Sequence, residues 1–128
     1  MAYFILGSID ISSLLKAYDS FDVAIKTANS VLEQDGTIQR FEYTYELFWK
    51  TLKRVLEIKG SICNSPRDVF REAAIQAIID DPAFWFEVIK KRNLTSHIYE
   101  RKVAESIYSS LPNIRDGMLA VINRIKEL

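Results

Sequence analysis

The amino-acid sequence predicts an all-α protein, an antiparallel up-and-down bundle of four to five helices. Apolar residues recur at intervals of three and four over long stretches, which is the spacing of an amphipathic helix. Only three prolines and four glycines are found among the 128 residues. Chains of this length commonly form one domain, so we expect a single helical-bundle domain over residues 1–128.

Two apolar stripes predict the first two helices. The first stripe runs from Leu14 to Leu32, and the turn at residues 34–37, QDGT, is expected to close that helix. The second stripe runs from Ile38 to Val55 with the same spacing. Gly60 is expected to end this second helix, since glycine favours the backbone conformation that follows a helix.

Two further helices are predicted from a capping residue followed by proline. Ser65 and Pro66 suit the cap and the first helical position, and Asp68 suits the positive end of the helix. Asp81 and Pro82 repeat this signal for a fourth helix. The residues expected to face inward from these two helices are Val69, Phe70, Ala73, Ala74, Ala77, Ile78, Trp85, Val88 and Ile89.

The two ends of the chain are less regular. Residues from Val103 to Ile125 keep one apolar phase although Pro112 removes a backbone donor, which indicates one kinked helix rather than two. The first ten residues, MAYFILGSID, are short and apolar. A strand, a helical extension and a docking arm all fit this N-terminal extension.

Composition restricts the class of protein. Seventeen basic residues balance seventeen acidic ones, so anion binding requires a local cluster rather than the net charge. Cys63 is the only cysteine, which excludes an internal disulfide and suits a reducing compartment. MAYFIL lacks the charged start of a secretory signal, and no run of residues is long and apolar enough to span a membrane. We expect a cytoplasmic protein without a membrane partner.

Residues 92–99, RNLTSHIY, are the strongest candidate for a site. They contain His97, the only histidine of the chain. Arg92 continues the inward stripe of the fourth helix and needs a partner, because burying an unpaired charge is costly. A structural ion pair and a snorkelling side chain also explain Arg92. Four more basic residues flank the stretch, namely Lys90, Lys91, Arg101 and Lys102.

The geometry of this stretch stays open at the level of sequence. On a straight helix, Arg92 and Tyr99 would share a face, and so would Asn93 and His97. A new helix capped by Thr95 or Ser96 would instead bend the backbone and bring these groups together.

The chemistry that fits these residue types is metal-free. A phosphodiester requires cationic donors for its oxygens and a proton-transfer group that titrates near neutrality, as histidine does. The sequence has no metal-ligand spacing, Gly-rich phosphate loop or serine elbow, and no cofactor is expected. The alternative is a solvated basic helix end without chemistry.

Two motifs resemble a known family. Residues 92–97, RNLTSH, have the R-N-x-x-x-H form of the HEPN superfamily ribonuclease motif, and Ile98-Tyr99 extends it to the R-x-x-x-x-H-x-Y variant of HepT-type toxins. Residues 40–53, RFEYTYELFWKTLK, resemble the second-helix signature of the nucleotidyltransferase substrate-binding protein family. The resemblance covers about residues 11–127, and the apolar N-terminal extension and Pro112 depart from it.

The resemblance implies a five-helix HEPN bundle that forms a homodimer with two R-x-x-x-x-H motifs across a cleft. It implies a toxin that cleaves RNA and a partner minimal nucleotidyltransferase, the antitoxin, which adds AMP to Tyr99. His97 would be the general acid or base, Arg92 would hold the phosphate, and Asn93 would orient the substrate or His97. Lys90, Lys91 and Lys102 would attract RNA. The rival interpretation is a non-catalytic subunit that binds a substrate or nucleotide for the partner, and a third is an inactive scaffold that acts only through association.

The charged and aromatic residues of the second-helix signature have structural explanations. Glu46 and Lys50 form an ordinary helix pair four residues apart. Arg40 and Glu42 are expected at the start of the second helix in a structural role. The aromatic residues Phe41, Tyr45, Phe48 and Trp49 are expected in the core or in a dimer contact.

Overall fold

The computed structural model describes all 128 residues and contains five α-helices after a two-stranded antiparallel hairpin. The all-α bundle predicted from the sequence is therefore confirmed. A short 3₁₀ turn, Thr95–His97, lies between the last two helices. The elements are β1 Phe4–Ile5, β2 Ile9–Asp10, α1 Ser12–Thr27, α2 Val31–Ile58, α3 Pro66–Ile75, α4 Pro82–Asn93 and α5 Arg101–Lys126.

One cluster of buried apolar side chains connects all five helices. α2 is the longest helix and packs against α1, α3, α4 and α5. The rings of Phe48, Phe70 and Trp85 form a stack that joins α2, α3 and α4, with centroids 4.9 Å apart between Phe48 and Trp85. None of the helices combines the length and apolar character needed to cross a membrane.

The boundary predicted between the first two helices is wrong. α1 ends at Thr27 and α2 begins at Val31, so the QDGT segment and Arg40 lie inside α2. The reason is a capping box: the Ser30 hydroxyl accepts from the Glu33 amide at 3.1 Å, while the Glu33 carboxylate accepts from the Ser30 hydroxyl and the Asn29 amide. This cap outweighs one glycine inside a long helix, which costs about 1 kcal/mol.

The first ten residues form a hairpin that continues into α1. Ile5 pairs with Ile9, and both side chains are buried in the main core. Leu6 and Gly7 adopt positive φ angles of 51° and 76° in the connecting turn, which a glycine makes easier. Asp10 accepts from the backbone amides of Ser12 and Tyr3, and the Ser12 hydrogen bond is the main cause of its lowered pKa. Of the three alternatives for this segment, the strand is correct.

The two cap-and-proline signals place α3 and α4 correctly. Ser65 and Asp81 are the caps, and Pro66 and Pro82 open the helices. Ala77 is a correction, since it follows α3 with φ of 60° and is exposed rather than inward-facing.

The last helix is continuous. α5 runs from Arg101 to Lys126 and includes Pro112, so the interpretation of one helix is confirmed. Pro112 is exposed, whereas the apolar phase on either side of it, at Leu111 and Ile114, is buried. α5 packs against α1 and α2, and residues 92–99, called the site segment below, lie just before its start.

Candidate functional site

The candidate motif lies where α4 ends and α5 begins. Lys90, Lys91 and Arg92 form the last turn of α4, where cations interact favourably with the negative end of the helix. The backbone then tightens, with the Leu94 amide donating to the carbonyls of Lys90 and Lys91, and the His97 amide donating to Leu94. The 3₁₀ turn that follows ends at His97, and α5 starts only at Arg101.

This course of the backbone is incompatible with one straight helix through residues 92–99. α4 ends at Asn93, so Arg92 and Tyr99 do not share a helix face. Thr95 and Ser96 begin the 3₁₀ turn and do not cap α5, whose N-cap residue is Glu100. The chain bends because Thr95 is buried, with 4% of its surface exposed, and its hydroxyl donates to the Arg92 carbonyl at 2.8 Å.

His97 and Tyr99 contact each other on the exposed side of this bend. The distance from His97 Nδ1 to the Tyr99 hydroxyl is 3.2 Å, and the two rings meet edge to face with centroids 5.9 Å apart. His97 Nε2 makes no hydrogen bond within the chain. Tyr99 is 74% exposed, so its hydroxyl is accessible from solvent. The imidazole therefore keeps one nitrogen for exchange of a proton with a bound molecule.

Arg92 faces α2. Its Nη1 donates to the Thr95 hydroxyl at 3.1 Å and lies 3.9 Å from the Glu42 carboxylate. Its Nε lies 3.8 Å from the Glu46 carboxylate and is buried without a hydrogen bond. Of the alternatives open in the sequence, the structure places Arg92 in an ion-paired position.

The contacts of Glu42 and Glu46 with Arg92 were missed at the level of sequence. The predicted pair of Glu46 and Lys50 is present, with 3.6 Å between the charged atoms, but the other oxygen of Glu46 faces Arg92. The two glutamates are four positions apart, so they lie on one face of α2, which was the available signal. Nothing in the sequence indicates which cation that face meets.

A shallow cavity of about 270 Å³ opens beside Arg92. It is lined by Gln39, Glu42, Tyr43, Glu46 and Arg92. Tyr45, on the core side of α2, has a pKa raised by burial and by Glu46, an effect that Arg92 opposes. A larger cavity, about 450 Å³, lies between α1 and α2 and is lined by none of residues 90–102.

The three lysines that flank the motif differ in the side chains with which they pair. Lys90 pairs with Glu87 at 3.1 Å, and Lys91 Nζ donates to the Ser106 hydroxyl at 2.9 Å. Lys102 is exposed and has no partner within the chain. Asn93 is also exposed, and its side chain makes no hydrogen bond. Of these four residues, Lys102 and Asn93 are therefore the two that a ligand can contact without breaking an existing bond.

Arg101 is not an unpaired cation, because its guanidinium group already has partners within the chain. Its Nη2 donates to Asp35 of α2 at 3.0 Å and to the backbone carbonyl of Ile98. This ion pair joins residues 66 positions apart. No spacing or period in the sequence relates them.

The structure thus brings His97 and Tyr99 together and holds Arg92 on a neighbouring surface, without a hydrogen bond between Arg92 and His97. No group of three or more histidine, cysteine, aspartate or glutamate side chains is arranged to hold a metal ion. The arrangement offers a proton-transfer group, a tyrosine hydroxyl next to it and a guanidinium group within one short segment.

Comparison with known proteins identifies a family. The family model described as nucleotidyltransferase substrate binding protein like matches residues 9–126. A relative from Haemophilus influenzae, named probable ribonuclease HepT, is 33% identical over 81 residues, which is 59% of this chain and 56% of that protein. The chain therefore matches little more than half the length of that relative.

Two solved structures share the fold. A crystal structure from Thermus thermophilus has a TM-score of 0.83 and 33% identity, and the match covers 88% of this chain and 98% of the other. A structure from Haemophilus influenzae, described as the fold of a substrate-binding domain of a nucleotidyltransferase, has a TM-score of 0.80 and covers 91% and 98%. Its identity is 23%, so this likeness shows the fold alone.

Proposed function

Because the chain belongs to the nucleotidyltransferase substrate-binding protein family, which its two motifs predicted, we propose that it is a HepT-like toxin and a metal-independent endoribonuclease. One observation carries the proposal. The only histidine lies on an exposed bend with Nε2 unbonded, five residues after an arginine at a basic helix end. The name of the Haemophilus relative, probable ribonuclease HepT, supports the same reaction.

The proposed reaction is transesterification at a ribose. His97 removes the proton from a 2′-hydroxyl, whose oxygen attacks the adjacent phosphorus while the bond from phosphorus to the 5′-oxygen breaks. The leaving 5′-oxygen takes a proton, so the products are a 2′,3′-cyclic phosphate and a 5′-hydroxyl. The contact with Tyr99 orients the ring through Nδ1 and leaves Nε2 for the proton.

Arg92 is the proposed phosphate ligand. Its Nη2 makes no hydrogen bond within the chain, although Nη1 and Nε face Thr95, Glu42 and Glu46. A guanidinium group that keeps one nitrogen free can donate to a phosphate oxygen and stabilise the charge that develops on it. Asn93 is exposed beside it and is the proposed orienting residue. RNA is attracted by the positive charges of Lys90, Lys91 and Lys102, and salt weakens this attraction.

Cleavage of RNA by the purified protein tests the proposal. The protein is incubated with end-labelled RNA in EDTA, and the products are separated and their termini identified. Products that end in a 2′,3′-cyclic phosphate support the mechanism. Intact RNA at high protein concentration would contradict the ribonuclease function.

The site is proposed to be complete only in a homodimer. Arg92 and His97 do not contact each other within one chain, and a second copy would supply His97 of the partner subunit as the acid for the leaving group. We expect light scattering to give a dimer at micromolar concentration, and we expect specific activity to fall on dilution below the dimer dissociation constant. A monomer with undiminished activity would contradict a shared site.

Tyr99 is the proposed site of control by the partner nucleotidyltransferase. The tyrosine oxygen attacks the α-phosphorus of ATP on that enzyme, pyrophosphate leaves, and AMP becomes attached to Tyr99. The hydroxyl is accessible and lies 3.2 Å from His97 Nδ1. The attached phosphodiester would therefore place a negative charge and an adenosine beside the imidazole and exclude RNA.

Substitution of Tyr99 by phenylalanine should separate cleavage from control. We expect Tyr99→Phe to cleave RNA at a reduced rate, because the hydrogen bond to His97 Nδ1 is lost, and to resist inactivation by the partner, ATP and Mg²⁺, because the accepting oxygen is absent. Mass spectrometry of peptides locates the modification in the wild type. Tyr43→Phe, at another exposed tyrosine, is the matched control and should still be inactivated. Full cleavage by protein stoichiometrically modified at Tyr99 would contradict the proposal.

The second candidate function is a non-catalytic subunit that binds a substrate or nucleotide for the partner transferase. The description of the family model, nucleotidyltransferase substrate binding protein like, favours it. Binding of labelled nucleotide without RNA cleavage would select this function.

A further inference from the structure

One arginine at the start of α5 contacts both α2 and the site segment. Arg101 Nη2 donates to the Asp35 carboxylate, with 3.0 Å to Oδ1 and 3.3 Å to Oδ2. The same nitrogen donates to the backbone carbonyl of Ile98. Because Ile98 lies between His97 and Tyr99, one guanidinium group connects the two candidate side chains to α2.

Local capping does not account for this arrangement. Glu100, the N-cap residue of α5, makes no side-chain capping bond, and the first turn of α5 has no acidic residue. A cation at the positive end of a helix is unfavourable unless an anion neutralises it. Asp35 is that anion, and it comes from a different helix.

The site segment is held at two anchors. Thr95 is buried and bonded to Arg92 on one side, and Arg101 bonds the Ile98 carbonyl on the other. Ile98 adds a partly buried contact with the core. Between the anchors, the only side-chain hydrogen bond of His97 and of Tyr99 is the one they make with each other. The orientation of the His97 and Tyr99 side chains therefore depends on how firmly Thr95 and Arg101 hold the backbone.

We propose that Asp35 and Arg101 are a positioning pair that fixes His97 and Tyr99 in the orientation required for RNA cleavage. This inference rests on the proposed ribonuclease function for its effect on activity. Neither residue of the pair touches the RNA in this proposal. Loss of the pair lets the bend move, and a misplaced proton-transfer group lowers the rate of the chemical step rather than the binding of RNA.

The other end of α5 provides a matched control. Arg124 donates to Asp80 at 2.7 and 2.9 Å and to the backbone carbonyl of Ile78 at 3.3 Å. This pair has the same chemistry as Asp35 and Arg101, and Arg124 is exposed to the same degree as Arg101, 41% against 42%. It lies 23 residues further along the helix, or about 35 Å away. Asp80 is 83% exposed against 32% for Asp35, so Asp80→Ala removes an ion pair of the same residue types, at a more exposed position, without reaching the site.

The activity arm compares kcat and KM for cleavage of one RNA. We expect Asp35→Ala to lower kcat by about tenfold with KM unchanged, and Asp80→Ala to leave both constants unchanged. Asp35→Glu should restore most of kcat, since it keeps the carboxylate. The double variant Asp35→Ala, Arg101→Ala should be no slower than the slower single variant, because the two residues act as one unit.

The structural arm does not depend on cleavage. His97 is the only histidine, so its ring gives one unambiguous set of NMR signals. We expect Asp35→Ala to weaken the cross-peaks between the His97 and Tyr99 rings and to speed amide exchange at residues 97–100. Asp80→Ala should change neither.

The two arms separate the inference from the proposed function. If the wild type cleaves RNA and Asp35→Ala changes neither kcat nor the His97 signals, the positioning pair is rejected and the ribonuclease stands. If the wild type cleaves no RNA, the ribonuclease is rejected, and the NMR comparison alone decides whether Asp35 and Arg101 orient the segment. Equal effects of Asp35→Ala and Asp80→Ala would also reject the inference, because they would indicate a general loss of helix packing.

Discussion

Replacement of His97 by alanine is expected to lower RNA cleavage by about 10²- to 10⁴-fold, the usual contribution of a general acid or base. The fold should be unaffected, because the side chain is exposed and its only hydrogen bond is to Tyr99. Measurements are initial cleavage rates on one RNA, with circular dichroism and thermal unfolding of the same preparation. If the proposed toxin function is correct, expression of the wild type should inhibit growth and expression of His97→Ala should not.

The neighbouring serine provides the control for His97. Ser96 is exposed on the same 3₁₀ turn, and its hydroxyl makes no hydrogen bond within the chain. Ser96→Ala should therefore cleave at the wild-type rate. Undiminished cleavage by a folded His97→Ala protein would remove His97 from the mechanism, and an equal loss in Ser96→Ala would assign the effect to the turn.

Replacement of Trp85 by alanine is expected to have the largest effect on stability. The indole stacks on Phe48 and Phe70, with centroids 4.9 and 5.3 Å away, and 3% of the residue is exposed. Removing it loses this burial and leaves a cavity between α2, α3 and α4, at a cost of about 3–5 kcal/mol in the free energy of unfolding. Urea denaturation monitored by circular dichroism measures the loss.

The adjacent residue of α4 gives the comparison for Trp85. Phe86 is only partly buried, and Arg67 lies over its ring at 4.4 Å from the centroid. Phe86→Ala should cost about 1 kcal/mol, since it removes a cation–π contact at a partly exposed site. Equal losses in the two variants would contradict the role of Trp85 as the side chain that packs the three helices together.

The fold was predictable where local rules and tertiary packing agree. The cap-and-proline signals at Ser65 and Asp81 place two helix starts correctly, because proline and the capping side chain act within one turn. The start of α2 was misplaced because two local signals compete there. The capping box at Ser30 and Glu33 starts the helix, and the glycine at position 36 lies inside it. The sequence alone does not show which of these two signals is the stronger.

The residue types of the candidate site stand out in the sequence, whereas its contacts do not. The spacing of Arg92, His97 and Tyr99 points to the chemistry, and the contact of His97 with Tyr99 is local to the bend. Glu46 and Asp35 lie more than 40 positions away from the cations that they face, Arg92 and Arg101. Such pairs depend on how α2 crosses the end of α4 and the start of α5. Helix periodicity does not specify that crossing.

The position of Arg92 means that selection acts on one guanidinium group for two reasons, the stability of the fold and the proposed reaction. In the folded chain it is the counter-charge of Glu42 and, with Lys50, one of the two cations beside Glu46, and in the proposed reaction it holds the phosphate. A change at this position is therefore expected to alter bundle stability and the proposed catalysis together, whereas a change at His97 is expected to alter the proposed catalysis alone. Compensating substitutions for a lost Arg92 are accordingly expected on α2, at the two glutamates, rather than near the RNA.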